Sequence, residues 1–291
     1  MKAEKKRVGI KAEIRAIKER ERRLATAIFL ALILFIAAIS AYFTYTFLNQ
    51  PQNQTTNPTS SQLKAAIVDQ LSLTFPNQTF IQTATNTLKQ AGYTVDYYPG
   101  EQVTVEFYRN LPTHGYKLII LRVHSSAAEL QGKEFVETHV GIFTSESYSQ
   151  TKYVYEQLTD QLVTASYTMP QPPYYFAIVP KFVTSSMKGT FQNTMIIMMG
   201  CEGLNNTKMG EAFIQKGAKA YIGWKGAVSA SHTDQATVVL LQYLITEKQA
   251  IKQAVDNAIK DVGPDPIYNS QLIYYPLEAG EQTMENIKDG S

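Results

Sequence analysis

Three residue types capable of covalent or acid–base chemistry fall at the ends of apolar runs. His124 follows residues 116–123, Cys201 follows residues 194–199, and Asp69 lies near the end of residues 63–71. If these runs are strands of an open parallel sheet, the three share the rim outside the carboxyl ends, where such sheets hold their sites. A free thiol is only a few per cent thiolate near neutrality, so an adjacent imidazole that takes its proton or stabilises the anion makes it a nucleophile. Backbone N–H groups must then hold the oxyanion, and the amides around Cys201, at Gly200 and Glu202, are the local candidates. Gly200 and Gly203 allow the tight backbone such a loop needs. The alternative is that Cys201, the single cysteine, is a small buried apolar residue.

The other histidines do not make a metal site. His114 sits in a Pro-Thr-His-Gly turn, His139 lies in a segment of mixed pattern, and His232 with Asp234 opens a helix, at spacings unlike any ligand set. There is no Walker loop, dinucleotide glycine fingerprint or Gly-x-Ser-x-Gly elbow, so neither nucleotide nor cofactor is expected.

The elements that must position these residues alternate. Residues 63–71 read as a strand buried on both faces. A helix follows, with Asn77 as N-cap, Phe80, Ile81, Ala84, Leu88 and Ala91 at helical spacing, and Gly92 just past its end. Residues 94–98 read as a strand, 103–110 as a short helical piece and 116–123 as a central strand. Residues 127–187, rich in Ser, Thr and Tyr with Pro170, Pro172 and Pro173, read as β-hairpins and loops. Next come a strand at 194–199, a helix at 209–216 stopped by Gly217, a strand at 220–224, helical segments at 233–246 and 247–261, and a last strand at 271–275. This alternation predicts an α/β domain with a doubly wound, mainly parallel sheet flanked by helices.

Ahead of that domain, residues 1–23 carry ten Lys and Arg against four Glu, a net charge of +6. Residues 24–48 hold no charge and are long enough for a transmembrane helix. The positive-inside rule keeps the basic tail cytoplasmic, and Tyr42, Phe43, Tyr45 and Phe47 mark the far interface. A cleaved signal peptide is the rival reading, with a shorter apolar core. Residues 49–62 have neither charge nor large apolar side chains and read as a disordered linker, leaving 63–291 as the outer domain. The whole chain is +2, so everything after the tail sums to −4 and nothing there favours nucleic acid. Asn53, Asn77 and Asn205 begin N-x-[ST] triplets, compatible with an extracytoplasmic location. With one cysteine, the chain has no internal disulfide.

The stretch MIIMMGCEGLNNTKMGEAFIQKGAKAYIGWKGAVSASHTDQATVVLLQYL resembles the second half of a caspase-like (clan CD) cysteine peptidase domain, closest to the gingipain and CHAT branches. Cys201, Gly203, Ala212, Phe213, Gly217, Ala218, Gly223 and Trp224 carry the likeness. In the first half, YKLIILRVHSS resembles the strand that delivers the catalytic histidine, and the likeness spans residues 63–275. It implies a peptide or protein substrate, Cys201 as nucleophile and His124 as base. It also implies an S1-type pocket lined by Asp69, favouring Lys or Arg, with Trp224 as a wall or else as core. Where the family has Gly after the histidine this chain has Ser125, which can still donate its N–H to the oxyanion but whose side chain adds strain if φ is positive. A catalytically inactive relative that binds protein or peptide is therefore the alternative.

Overall fold

A computed structural model describes residues 63–129, 138–167 and 171–289, with four helical positions, Phe35 and 37–39. The chain divides into one unit up to Ser60 and a second from Ser61 onward. Apart from those four positions, the expected tail, span and linker lie outside the described residues. Among the described residues no helix is long and apolar enough to cross a membrane.

The second unit begins with β1 (Lys64–Asp69), α1 (Gln78–Gln90), β2 (Thr94–Pro99), α2 (Val105–Asn110) and β3 (Leu118–Arg122). Helix α1 starts where the sequence places it, because Asn77 Oδ1 accepts a bond from the Phe80 N–H at 3.0 Å. It is left through Gly92 at φ 86°, a left-handed position that favours glycine. Phe80, Ile81, Ala84 and Leu88 form its buried stripe. Removing the fully buried Leu88 side chain would cost about 2–5 kcal/mol.

The middle segment forms β4 (Ser125–Glu129), β5 (Thr138–Ser147), α3 (Val154–Leu158), β6 (Leu162–Ala165), β7 (Tyr175–Ile178) and α4 (Pro180–Ser185). The hairpins assemble into a second, antiparallel sheet of order β4–β5–β7–β6. The two short helices have too few turns to leave a periodic signal in sequence.

The remainder is β8 (Thr194–Met198), α5 (Lys208–Gln215), β9 (Ala218–Trp224), α6 (Ala230–Leu241), α7 (Ile251–Val262), β10 (Leu272–Tyr275) and α8 (Met284–Asp289). Helix α6 begins at Ala230 and passes into a π-helical stretch, Gln242–Thr246.

The main sheet has the order β10–β9–β8–β3–β1–β2. All neighbouring pairs are parallel except β10 with β9. Alternate residues of each central strand enter opposite cores, as the two-residue period of a strand requires. Ala65, Ile67, Leu118, Ile120, Met195 and Ile197 pack with α1, α6 and α7. Ala66, Val68, Ile119, Leu121, Ile196 and Met198 pack with α2, α4, α5 and strands of the second sheet. Burial on both faces explains why these strands read as continuous apolar runs.

Candidate functional site

The site is built where β3 and β8 end. These strands are parallel neighbours whose last registered pair is Leu121 with Met198, and the Met199 N–H still donates to the Leu121 carbonyl at 2.9 Å. His124 and Cys201 each follow three residues beyond that pair, so imidazole and thiol leave adjacent strands at matching positions. The Ser125 hydroxyl donates to the Cys201 carbonyl. A Cβ on Gly200 would meet Ser125 Oγ at 2.3 Å and the Val123 carbonyl oxygen at 2.5 Å, so this close approach admits only glycine.

The imidazole is hydrogen-bonded to a side chain other than the thiol. His124 Nε2 lies 2.8 Å from Thr74 Oγ1, in the loop after β1. Its backbone N–H donates to Gln70 Oε1 at 2.9 Å. The ring packs 4.6 Å from Tyr167, 5.9 Å from Phe75 and 6.0 Å from Phe143, between centroids. Burial, reinforced by the Arg122 charge, pushes its pKa down to about 4, which keeps the ring neutral near neutrality. Cys201 is half-buried, its Sγ 3.4 Å from both the N–H and the carbonyl of Val228 in the loop between β9 and α6. Burial raises the thiol pKa, against the Val228 main chain and with help from Glu202 and Asp265. Among the described residues no hydrogen bond joins His124 to Cys201.

Of the amides expected to serve an oxyanion, Glu202 is committed elsewhere: its N–H donates to the Gly226 carbonyl at 2.9 Å, and its φ is 62°. Gly200 N–H has no backbone acceptor among the described residues, and neither has Cys201 N–H. Ser125 pairs with Ile142 across β4 and β5, and the Phe143 N–H donates to the His124 carbonyl, which makes Ser125–Ile142 a non-hydrogen-bonded pair. The Ser125 N–H therefore points away from β5. Its φ is not positive, so the serine carries none of the strain that replacing a glycine there would threaten.

Asp69 reaches the rim in a different role. It is 1 % exposed, with Oδ1 2.7 Å from Arg122 Nη1 and Oδ2 accepting from the Tyr97 hydroxyl at 3.1 Å. Arg122 is wholly buried and bonds Asp234 on α6 through Nε and Nη2, at 2.7 and 2.8 Å, and the Phe75 carbonyl at 2.7 Å. Asn77 completes the cluster, donating to Asp234 Oδ2 at 2.8 Å, so this triplet asparagine is spent inside the fold. Asp69 offers no free carboxylate to a substrate cation. Trp224 is likewise core: its Nε1 donates to Thr233 Oγ1 at 2.9 Å, and that hydroxyl donates to the Met199 carbonyl at 3.0 Å, bracing the end of β8. His232 packs on Trp224 at 5.4 Å and does not join the site.

Arg122, Gln70 and Thr74 are the participants that sequence reading missed, and Asp234 was read only as a helix-start residue. A lone Arg inside an apolar strand and an Asp in the first turns of an apolar helix were the available signals, because buried charges must be paired. No group of His, Cys, Asp or Glu able to hold a metal occurs among the described residues. Set against protein-family models and against curated proteins, the chain matches none.

Proposed function

We propose that this protein is a membrane-tethered thiol peptidase of caspase-like fold, with its α/β domain outside the cytosol. The observation that carries the reading is the matched exit of His124 and Cys201 from adjacent parallel strands, tied by Ser125. The order of elements on which the resemblance rests is also the order in the structure, from β1 through α6. His124, neutral near pH 7, turns from Thr74 and takes the Cys201 proton as sulfur bonds to the peptide carbonyl carbon. The Ser125, Gly200 and Cys201 amides supply donors for the oxyanion. The protonated imidazole then gives its proton to the leaving amine, and water releases the acyl group from sulfur. Because Asp69 is neutralised by Arg122, no Lys or Arg preference is assigned to it.

The test is cleavage of a mixed peptide library by the full chain under reducing conditions, with Cys201→Ala and His124→Ala as controls. Cleavage lost in both variants is the expected result.

A second reading has its own observation. The His124 ring stands in an aromatic wall of Phe75, Phe143 and Tyr167, and Phe75 is 54 % exposed, a surface suited to holding a peptide without cutting it. Library peptides retained but uncut, with Cys201 inert to a thiol reagent, would select this binding module.

A further inference from the structure

At the amino ends of the main-sheet strands, away from Cys201, a cavity of about 430 Å³ opens between the last turn of α1, the π-helical stretch after α6, and α8. Leu244, Ile245 and Met284 give it an apolar wall, and Lys248, Glu285 and Lys288 a charged one. π-Helical turns recur at functional sites. Lys248 and Glu285 neutralise one another at 2.7 Å. Lys288 makes no ion pair among the described residues; its ammonium stands 5.0 Å from the centroid of the Tyr93 ring, and partial burial lowers its pKa.

We propose that this cavity binds a small organic acid, its apolar body against Leu244, Ile245 and Met284 and its carboxylate on Lys288. A single negative charge fits better than a dianion, because Glu285 is ion-paired with Lys248, also attracts Lys288, and repels any excess charge. The site is independent of the thiol chemistry at the other end of the sheet.

The probe series 4-phenylbutyrate, 4-phenylbutan-1-ol and 4-phenylbutylamine shares one apolar body and varies only the head group. Full-length protein in zwitterionic nanodiscs, labelled with 13C-methyl methionine, reports binding through the Met284 methyl, assigned with Met284→Leu. The acid is expected to shift that signal saturably, and the alcohol and amine to bind more weakly. Lys288→Gln should raise the Kd of the acid about tenfold. Equal binding of acid and alcohol, a Met284 methyl unmoved by the acid, or an unchanged Kd in Lys288→Gln would overturn the proposal. Lys288 lies in the last turn of α8, outside the helix's buried residues Met284 and Ile287, so its replacement tests the charge without unfolding the domain.

Discussion

The Ser125 hydroxyl donates to the Cys201 carbonyl, so the strand ends that carry the imidazole and the thiol are tied by a side chain beyond the last ladder bond. Ser125→Ala leaves that carbonyl without its donor. A loss of about 1–2 kcal/mol is expected, read as a lower denaturation midpoint at unchanged m-value. Alkylation of Cys201 should speed up several-fold as its loop loosens. Unchanged stability and reactivity together would show that the tie does not hold the loop.

His124 makes stability depend on pH. Its folded pKa of about 4 lies below the ordinary 6.5, so between those values the unfolded chain binds the extra proton. Its contribution is therefore fully present above about pH 6.5 and is lost as pH falls towards 4, on the order of 3 kcal/mol in all. Denaturant unfolding of the parent protein and of His124→Gln across this range isolates the histidine's contribution. The difference between them should shrink on acidification, and a difference that stayed flat would contradict a depressed pKa.

The strands and helices of the main sheet were legible because each depends on a local pattern. β1, β3 and β8 are apolar runs buried on both faces, and α1 is bounded by Asn77 and Gly92. His124 and Cys201 were visible as residues at the ends of such runs. Their partners were not, since Thr74, Gln70 and Val228 meet them only after loops fold back over the rim. Asp69 shows the same limit: its place at the end of β1 was readable, whereas its neutralisation by Arg122 depends on β1 and β3 being neighbours. Assembly of the second sheet escaped prediction because pairing such as β5 with β7 is set by contacts distant in sequence.

Arg122 anchors two carboxylates at once. Arg122→Met strands Asp69 and Asp234 as buried, unpaired charges, and a loss of about 3–5 kcal/mol is expected. The triple change Arg122→Met, Asp69→Leu and Asp234→Leu removes the charges together, and should recover more than half of that loss in thermal or denaturant unfolding. A triple variant less stable than Arg122→Met alone would mean that the hydrogen bonds to Phe75, Tyr97 and Asn77 matter more than charge balance.

Thr74 holds the imidazole in the one position seen, with its hydroxyl 2.8 Å from His124 Nε2. If the ring turns to meet Cys201, this contact must break first, so Thr74→Val shifts the balance towards the turned state. The expected outcome is a several-fold faster reaction of Cys201 with iodoacetamide at neutral pH, where burial otherwise keeps the thiol protonated. That gain has to depend on the imidazole: in the Thr74→Val/His124→Ala double variant it should vanish, leaving a coupling between the two sites in the cycle of rates. A gain that survives removal of His124 would mean only that the loop had loosened. An absent gain would show that ring and thiol stay apart even when released, which favours the peptide-binding reading over the peptidase.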